Sequence, residues 1–133
     1  MFIGPEADRL AIRELIDRYS DAVMRRDADA YIATWASDGR WCFRGGEMVG
    51  HDQILPFWRK AMDGFAEVMF MANPGSIRID GDRAEVVTYT FEHLEMQDGS
   101  RRFQAGRYDD VLVRSDAGWQ FQQRTFSARE LKS

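Results

Sequence analysis

The chain has 133 residues, a formal net charge of −4 and acids and bases mixed along its length. That is the length of one domain (1–133), able to bury roughly 70% of its unfolded surface, and it offers no basic footprint for nucleic acid. A single cysteine, Cys42, excludes an internal disulfide, and with only two histidines the usual His/Cys metal site lacks ligands. The start, Met1-Phe2-Ile3-Gly4-Pro5, runs straight into charges and no apolar run is long enough to span a membrane, so a soluble, cytoplasmic protein without a signal peptide is expected. Nine Phe, four Trp and four Tyr are generous for the length and fit either a core of large side chains or an aromatic cavity.

Taken in order, Ala7 to Arg26 carries the strongest helical pattern. Ile12, Leu15, Ile16, Tyr19 and Val23 recur at three and four residues, with Arg13, Glu14, Asp17 and Arg18 on the other face. Pro5, Glu6 and Asp8 suit a first turn, and Asp27 can cap a second, shorter helix over Asp29 to Trp35. Ser37-Asp38-Gly39 reads as a turn, Arg40 to Arg44 as a strand closed by Gly45-Gly46. A third helix follows, with Asp52 as its predicted N-cap, Pro56 in its first turn and Gly64 at its C-terminus.

From residue 66 the pattern becomes β. Glu67 to Asn73 and Ser76 to Ile79 are extended, with Pro74-Gly75 between them as a bulge or bend. Asp80-Gly81-Asp82, Gln97-Asp98-Gly99-Ser100 and Ser115-Asp116-Ala117-Gly118 are turns separating long strands over Arg83–Met96, Arg101–Arg114 and Trp119–Ala128. Helices first and a meander of long strands after is the α+β pattern. Long strands curl, and a curved antiparallel sheet wrapped around the N-terminal helices leaves a concave face that becomes a pocket wherever the helices do not fill it.

Several motifs stand in a familiar order. They are Leu15-Ile16-Asp17-Arg18-Tyr19, Asp27 and Tyr31, Trp41 followed by Gly50-His51-Asp52-Gln53-Ile54, and Asn73-Pro74. Beyond these come Ile77 to Ala84, Gly106-Arg107-Tyr108-Asp109-Asp110 and Gly118-Trp119. Across nearly the whole chain this resembles the SnoaL-like family of the nuclear transport factor 2-like superfamily. The resemblance implies a cone-shaped, cystatin-like α+β fold around a deep pocket and a hydrophobic small-molecule ligand. It also implies relatives as varied as polyketide cyclases, scytalone dehydratase, steroid isomerases, epoxide hydrolases and dioxygenase small subunits, among which fold alone does not choose. A dehydratase of the scytalone type would place a Tyr-Asp pair at Val23 and Met24 and histidines near Met69 and at Tyr108; all four positions differ.

Phase along the strands supplies the candidate site. Val87, Tyr89, Phe91 and His93 share one face, which makes His93 either a candidate acid/base among apolar groups or, the commoner case, a partly exposed histidine toward the strand's end. Tyr108 and Asp110 share a face with Leu112, where a phenol can donate to a carbonyl and a carboxylate can accept a proton. Equally, Asp110 can pair with Arg124 on the adjacent strand as a structural ion pair. Arg107 and Asp109 fall on the other face, as surface or interface partners. The catalytic candidates are therefore Tyr108, Asp110 and His93, and the ligand-binding candidates Tyr19, Met24, Trp41, Met69, Met71, Asn73 and Phe91. Neither a metal nor a cofactor is expected.

Two functions follow from this reading. One is a cofactor-independent lyase, isomerase or cyclase working by proton transfer on a hydrophobic cyclic substrate. The other is a non-catalytic binding or subunit module resembling a ring-hydroxylating dioxygenase small subunit. The second semi-apolar strand face (Phe103, Ala105, Val111, Val113) points to a homodimer through the sheet.

Overall fold

A computed structural model describes residues 1–129 of the chain. Helix α1 (Glu6–Arg25) buries the stripe expected of it, Ile12, Leu15, Ile16, Tyr19, Ala22 and Val23, and ends at Arg26 in the left-handed conformation, φ 55°. Asp27 caps α2 (Ala28–Ala33) by accepting from the Ala30 N–H at 3.0 Å. Helix α3 (His51–Asp63) buries Ile54 and Trp58 and stops at Gly64. Its N-cap is Gly50, not Asp52. Asp52 falls inside the first turn, where a negative charge still suits the exposed N–H groups.

The strands are β1 (Phe2–Ile3), β2 (Trp35–Phe43), β3 (Gly46–Val49), β4 (Phe65–Asp80), β5 (Arg83–Met96), β6 (Arg101–Ser115) and β7 (Gly118–Arg129). They form one sheet in the order β1-β4-β5-β6-β7-β2-β3. The sheet is mixed rather than purely antiparallel, because β1 lies parallel to β4 and β2 parallel to β7. Strand β2 is reached through two helices rather than a hairpin, so nothing forces it to run antiparallel.

Two expectations near β2 need correction. Ser37-Asp38-Gly39 does not reverse the chain but lies inside β2, where the register with β7 slips between Trp35 and Arg40. A Cβ on Gly39 would sit 2.9 Å from the Trp35 ring, so the glycine lets the strand press onto that indole. Gly46 does not close the strand either; it opens β3, which pairs back onto β2 with Arg40 opposite Val49.

Two bulges decide what the sheet shows to the helices. At Gly75 the β4–β5 register shifts by one, and the buried side of β4 passes from Val68, Phe70 and Ala72 to Ile77. At Gln122 the β6–β7 register shifts likewise, so Phe121 and Arg124, three apart, both point inward. A strand without that extra residue would turn Arg124 to the outside. The core fills the space between the inner sheet face and α1 to α3. Among the described residues no helix is long and apolar enough to cross a membrane.

Candidate functional site

The helices leave part of the concave face uncovered, and a cavity of about 230 Å³ remains there. Every layer contributes to its wall: Tyr19 from α1, Trp58 from α3, Trp41 from β2, Phe70 from β4, Tyr108 from β6 and Phe126 from β7. The rings support one another. Tyr31 stacks on Trp58 at 4.2 Å, Phe43 on Phe57 at 5.2 Å, and Trp41 meets Phe57 edge-on at 5.3 Å. Gly106 makes room for this wall, since a Cβ there would run into the Phe126 ring.

Few polar groups reach the cavity. Trp41 Nε1 donates to the Tyr108 hydroxyl oxygen at 3.2 Å, which leaves the phenol's own proton free to be donated elsewhere. Burial holds the Tyr108 phenol well above its ordinary pKa, so it is a hydrogen-bond donor and not a base. The hydroxyls of Tyr19 and Tyr31 lie 3.5 Å apart behind it. The remaining polar lining residues are Glu92 and Gln104, directly opposite each other on β5 and β6. Burial alone raises the Glu92 pKa from its ordinary 4.5, and among the described residues no charge or hydrogen bond opposes that shift. Among the described residues no Lys, Arg or His lines the cavity.

One layer deeper lies a second carboxylate. Asp110 accepts from Arg124 Nε at 2.7 Å and Nη2 at 3.1 Å, and from the Thr88 hydroxyl at 2.7 Å. The guanidinium lies over the rings of Tyr108 at 3.8 Å, Phe121 at 4.1 Å and Tyr19 at 4.5 Å. Burial works against the charge of Arg124, yet Asp110 and the flanking phenols hold its pKa above the ordinary guanidinium value. Burial likewise pushes Asp110 up while Arg124 and Thr88 pull it down. Because Arg124 cannot give up its proton, the pair stays ionised.

The sequence matches the SnoaL-like domain over residues 6–125. The chain belongs to the SnoaL-like domain family. Among solved structures, it is 25% identical to a candidate aromatic ring hydroxylase from Novosphingobium aromaticivorans, with a TM-score of 0.90 over 97% of this chain and 94% of that one. A hexachlorocyclohexane dehydrochlorinase, LinA type 2, superposes with a TM-score of 0.83 at 18% identity, covering 95% and 90% of the two chains. A candidate scytalone dehydratase from the same Novosphingobium species gives 0.86 at 16% identity over 93% and 85%. The last two likenesses are of fold alone. No curated protein matches the sequence.

In this SnoaL-like domain the structure brings together Tyr108, Tyr19 and Trp41 from the sequence-derived candidates. Asp110 is fully enclosed, in the ion pair with Arg124 that was its alternative reading. His93 does share a face with Val87, Tyr89 and Phe91, but it is the outer face: the inner phase of β5 is Ala84, Val86, Thr88, Thr90 and Leu94. There His93 stacks on Phe103 at 4.3 Å, away from the cavity. Phe91, Met69, Met71 and Asn73 lie on that outer face too, all exposed. Met24 is 37% exposed at the end of α1, where its sulfur accepts the Phe70 N–H at 3.2 Å. His51 is tied to the Trp35 carbonyl at 2.9 Å. Arg107 and Asp109 pair at 2.7 Å on the outside, as anticipated.

The group that sequence reasoning missed is Glu92. Its phase with Ala84, Val86 and Leu94 was visible in the sequence, but that this phase is the inner face is shown only by the structure. Among the described residues no group of three or more His, Cys, Asp or Glu converges on a metal-binding geometry. A second hollow, on the outer face, is lined by exposed charges such as Arg78 and Glu85, 3.9 Å apart, and has none of this aromatic enclosure.

Proposed function

We propose that this SnoaL-like domain binds a hydrophobic cyclic small molecule in the helix–sheet cavity and exchanges a proton with it through Glu92. One observation carries the reading: among the described residues, the only carboxyl lining this aromatic cavity has no partner, and its pKa is raised by burial. A carboxyl shifted toward neutrality can take and return a proton without a strong driving-force penalty. Tyr108, its oxygen already receiving the Trp41 N–H, offers its proton to an acceptor atom on the ligand. Such proton transfer needs no cofactor, and Cys42 as a lone thiol fits a reducing, cytoplasmic setting.

The test is a panel of cyclic carbonyl and aromatic compounds, read by ligand-observed NMR for binding and by deuterium incorporation from D2O for proton transfer. Exchange that is lost in Glu92→Gln, weakened in Tyr108→Phe and unchanged in His93→Ala supports the assignment. Exchange that survives Glu92→Gln overturns it.

A second reading is favoured by the outer sheet face and by the likeness to the candidate hydroxylase: a binding or subunit module that docks through its sheet. Met69, Met71, Phe91 and Phe103 are 50%, 57%, 45% and 67% exposed and adjacent across β4, β5 and β6. A contiguous apolar patch of this kind suits a homodimer formed sheet to sheet. Sedimentation should show a dimer at micromolar concentration that Phe103→Glu dissociates; a wild-type monomer would end the dimer proposal.

A further inference from the structure

The cavity holds an imbalance of charge. Among the described residues its lining contains one carboxyl, Glu92, and no cationic side chain. The nearest cation in the inner core, Arg124, is buried behind the Tyr19 and Tyr108 rings and already bound to Asp110. Around Glu92 the wall is almost wholly π-systems, with Trp41, Phe57, Phe70, Tyr108 and Phe126 among them. Aromatic faces are the negative ends of quadrupoles and attract cations, most strongly where water is excluded. A neutral ligand would leave the Glu92 carboxylate without a partner among the rings, and an anion would be repelled by it. An organic cation meets both the carboxylate and the ring faces.

We infer that the ligand class of this cavity is a cyclic amine, bound with its nitrogen protonated against Glu92 and its ring body among the aromatics. This rests on the cavity being the ligand site, as proposed above, and names what that site selects. The proton balance is simple. A free-base amine that meets the protonated carboxyl takes its proton: the carboxyl O–H breaks, an N–H forms, and a carboxylate–ammonium pair results. An amine that enters already protonated pairs directly with the carboxylate, or displaces the proton of the carboxyl form to solvent. Gln104, opposite Glu92, can accept a second ammonium N–H through its amide oxygen. As to size, a dry cavity of about 150 Å³ holds benzene, so one of about 230 Å³ suits a substituted single ring or a compact bicycle.

The discriminating experiment uses three probes of one shape: 1-aminoindane, 1-indanone and indane-1-carboxylate. Each is titrated calorimetrically into the wild type and Glu92→Gln at neutral pH, in two buffers of different ionisation enthalpy. The amine should bind at least about tenfold more tightly than the ketone, a difference that one charge-assisted hydrogen bond in an aromatic setting supplies, and the carboxylate most weakly. Repeated at lower pH, amine binding as the ammonium should release protons to the extent that the Glu92 carboxyl is protonated, while ketone binding should not. In Glu92→Gln the amine should lose its advantage over the ketone, with a near-UV circular dichroism spectrum like the wild type's showing that the site is intact. If the ketone binds the wild type as tightly as the amine, or the ratio survives the substitution, the amine assignment falls while the cavity reading stands. If none of the probes binds, both fall.

Discussion

Asp110 and Glu92 stand on neighbouring strands, point to the same side of one sheet and are both pushed upward in pKa by burial. Their surroundings differ in one respect. Asp110 has a guanidinium at 2.7 Å and a hydroxyl at 2.7 Å, and its cation is itself packed between rings. Glu92 has aromatic walls and no partner among the described residues. A perturbed carboxyl marks function only when its own fold does not account for it. Asp110 is accounted for, as the charge that lets Arg124 be buried. Glu92 is not, and it faces an open cavity.

Breaking the satisfied pair should have the largest effect. Asp110→Ala leaves Arg124 charged and alone in the core, and removing one partner of a buried pair costs about 3–5 kcal/mol. A urea titration should show that loss, or no folded protein at all. The double variant Asp110→Leu with Arg124→Met should recover most of it, because an apolar pair of similar volume leaves no buried charge behind. A double variant no better than the single one would mean that the pair also fixes the registry of β6 and β7.

At Glu92 the expected loss is functional. Glu92→Gln keeps the shape and removes the titrating proton, so deuterium exchange into a bound ligand should fall by about 100-fold or more, the usual contribution of a general acid or base. Asp110→Asn is a poor test of catalysis, since it would lower activity by unfolding the site rather than by removing a reacting group. Normalising each rate to the folded fraction separates the two carboxylates.

How much of this could be read from the chain depended on which signal carried each feature. The α+β order, the α1 stripe, the three turns between the long strands and the break at Pro74-Gly75 were visible because local pattern and local structure coincide there, as they do not at Ser37-Asp38-Gly39. The parity of β5 was visible but its sign was not. Val87, Tyr89, Phe91 and His93 are larger and more aromatic than Val86, Thr88, Thr90 and Glu92, and apolar weight suggests that the heavier face looks inward. The reverse holds because the helices already fill the interior with Tyr19, Tyr31 and Trp58, leaving room there only for small or polar strand residues. The heavy face is the outer patch. Arg124 was suggested as a partner for Asp110 across the strands, but its place inside the core depends on the Gln122 bulge, set among glutamines that carry no pattern.

Thr88 probes the same contrast more gently. Its hydroxyl donates to Asp110 Oδ2, the oxygen that Arg124 Nη2 also meets, at 2.7 Å in a fully buried position. Thr88→Val keeps the shape and removes one hydrogen bond to a charged acceptor, which should lower stability by about 1–2 kcal/mol in a denaturant titration. The cavity is untouched by this change, so ligand affinity should stay within about twofold.

The smallest effect should be the most specific, because its sign differs between the two sites. Glu92 has a folded pKa above its ordinary value of 4.5, so folding favours its protonated form. The stability it contributes is fully present below the unfolded pKa and is lost as pH rises through the folded one. Glutamine has nothing to titrate. Wild type and Glu92→Gln should therefore be about equally stable near pH 4, and the variant should gain on the wild type toward neutral pH, by under about 1 kcal/mol, as is common when a functional group is removed from a site it strains. Urea midpoints at both pH values measure the difference directly. A gap that does not change with pH would mean that Glu92 is ionised and comfortable in the empty cavity, and the argument that it waits for a partner would lose its footing. A saturating amine should reverse the trend, stabilising the wild type more than the variant, since the ligand that binds the folded carboxylate more tightly lowers the free energy of that folded state further.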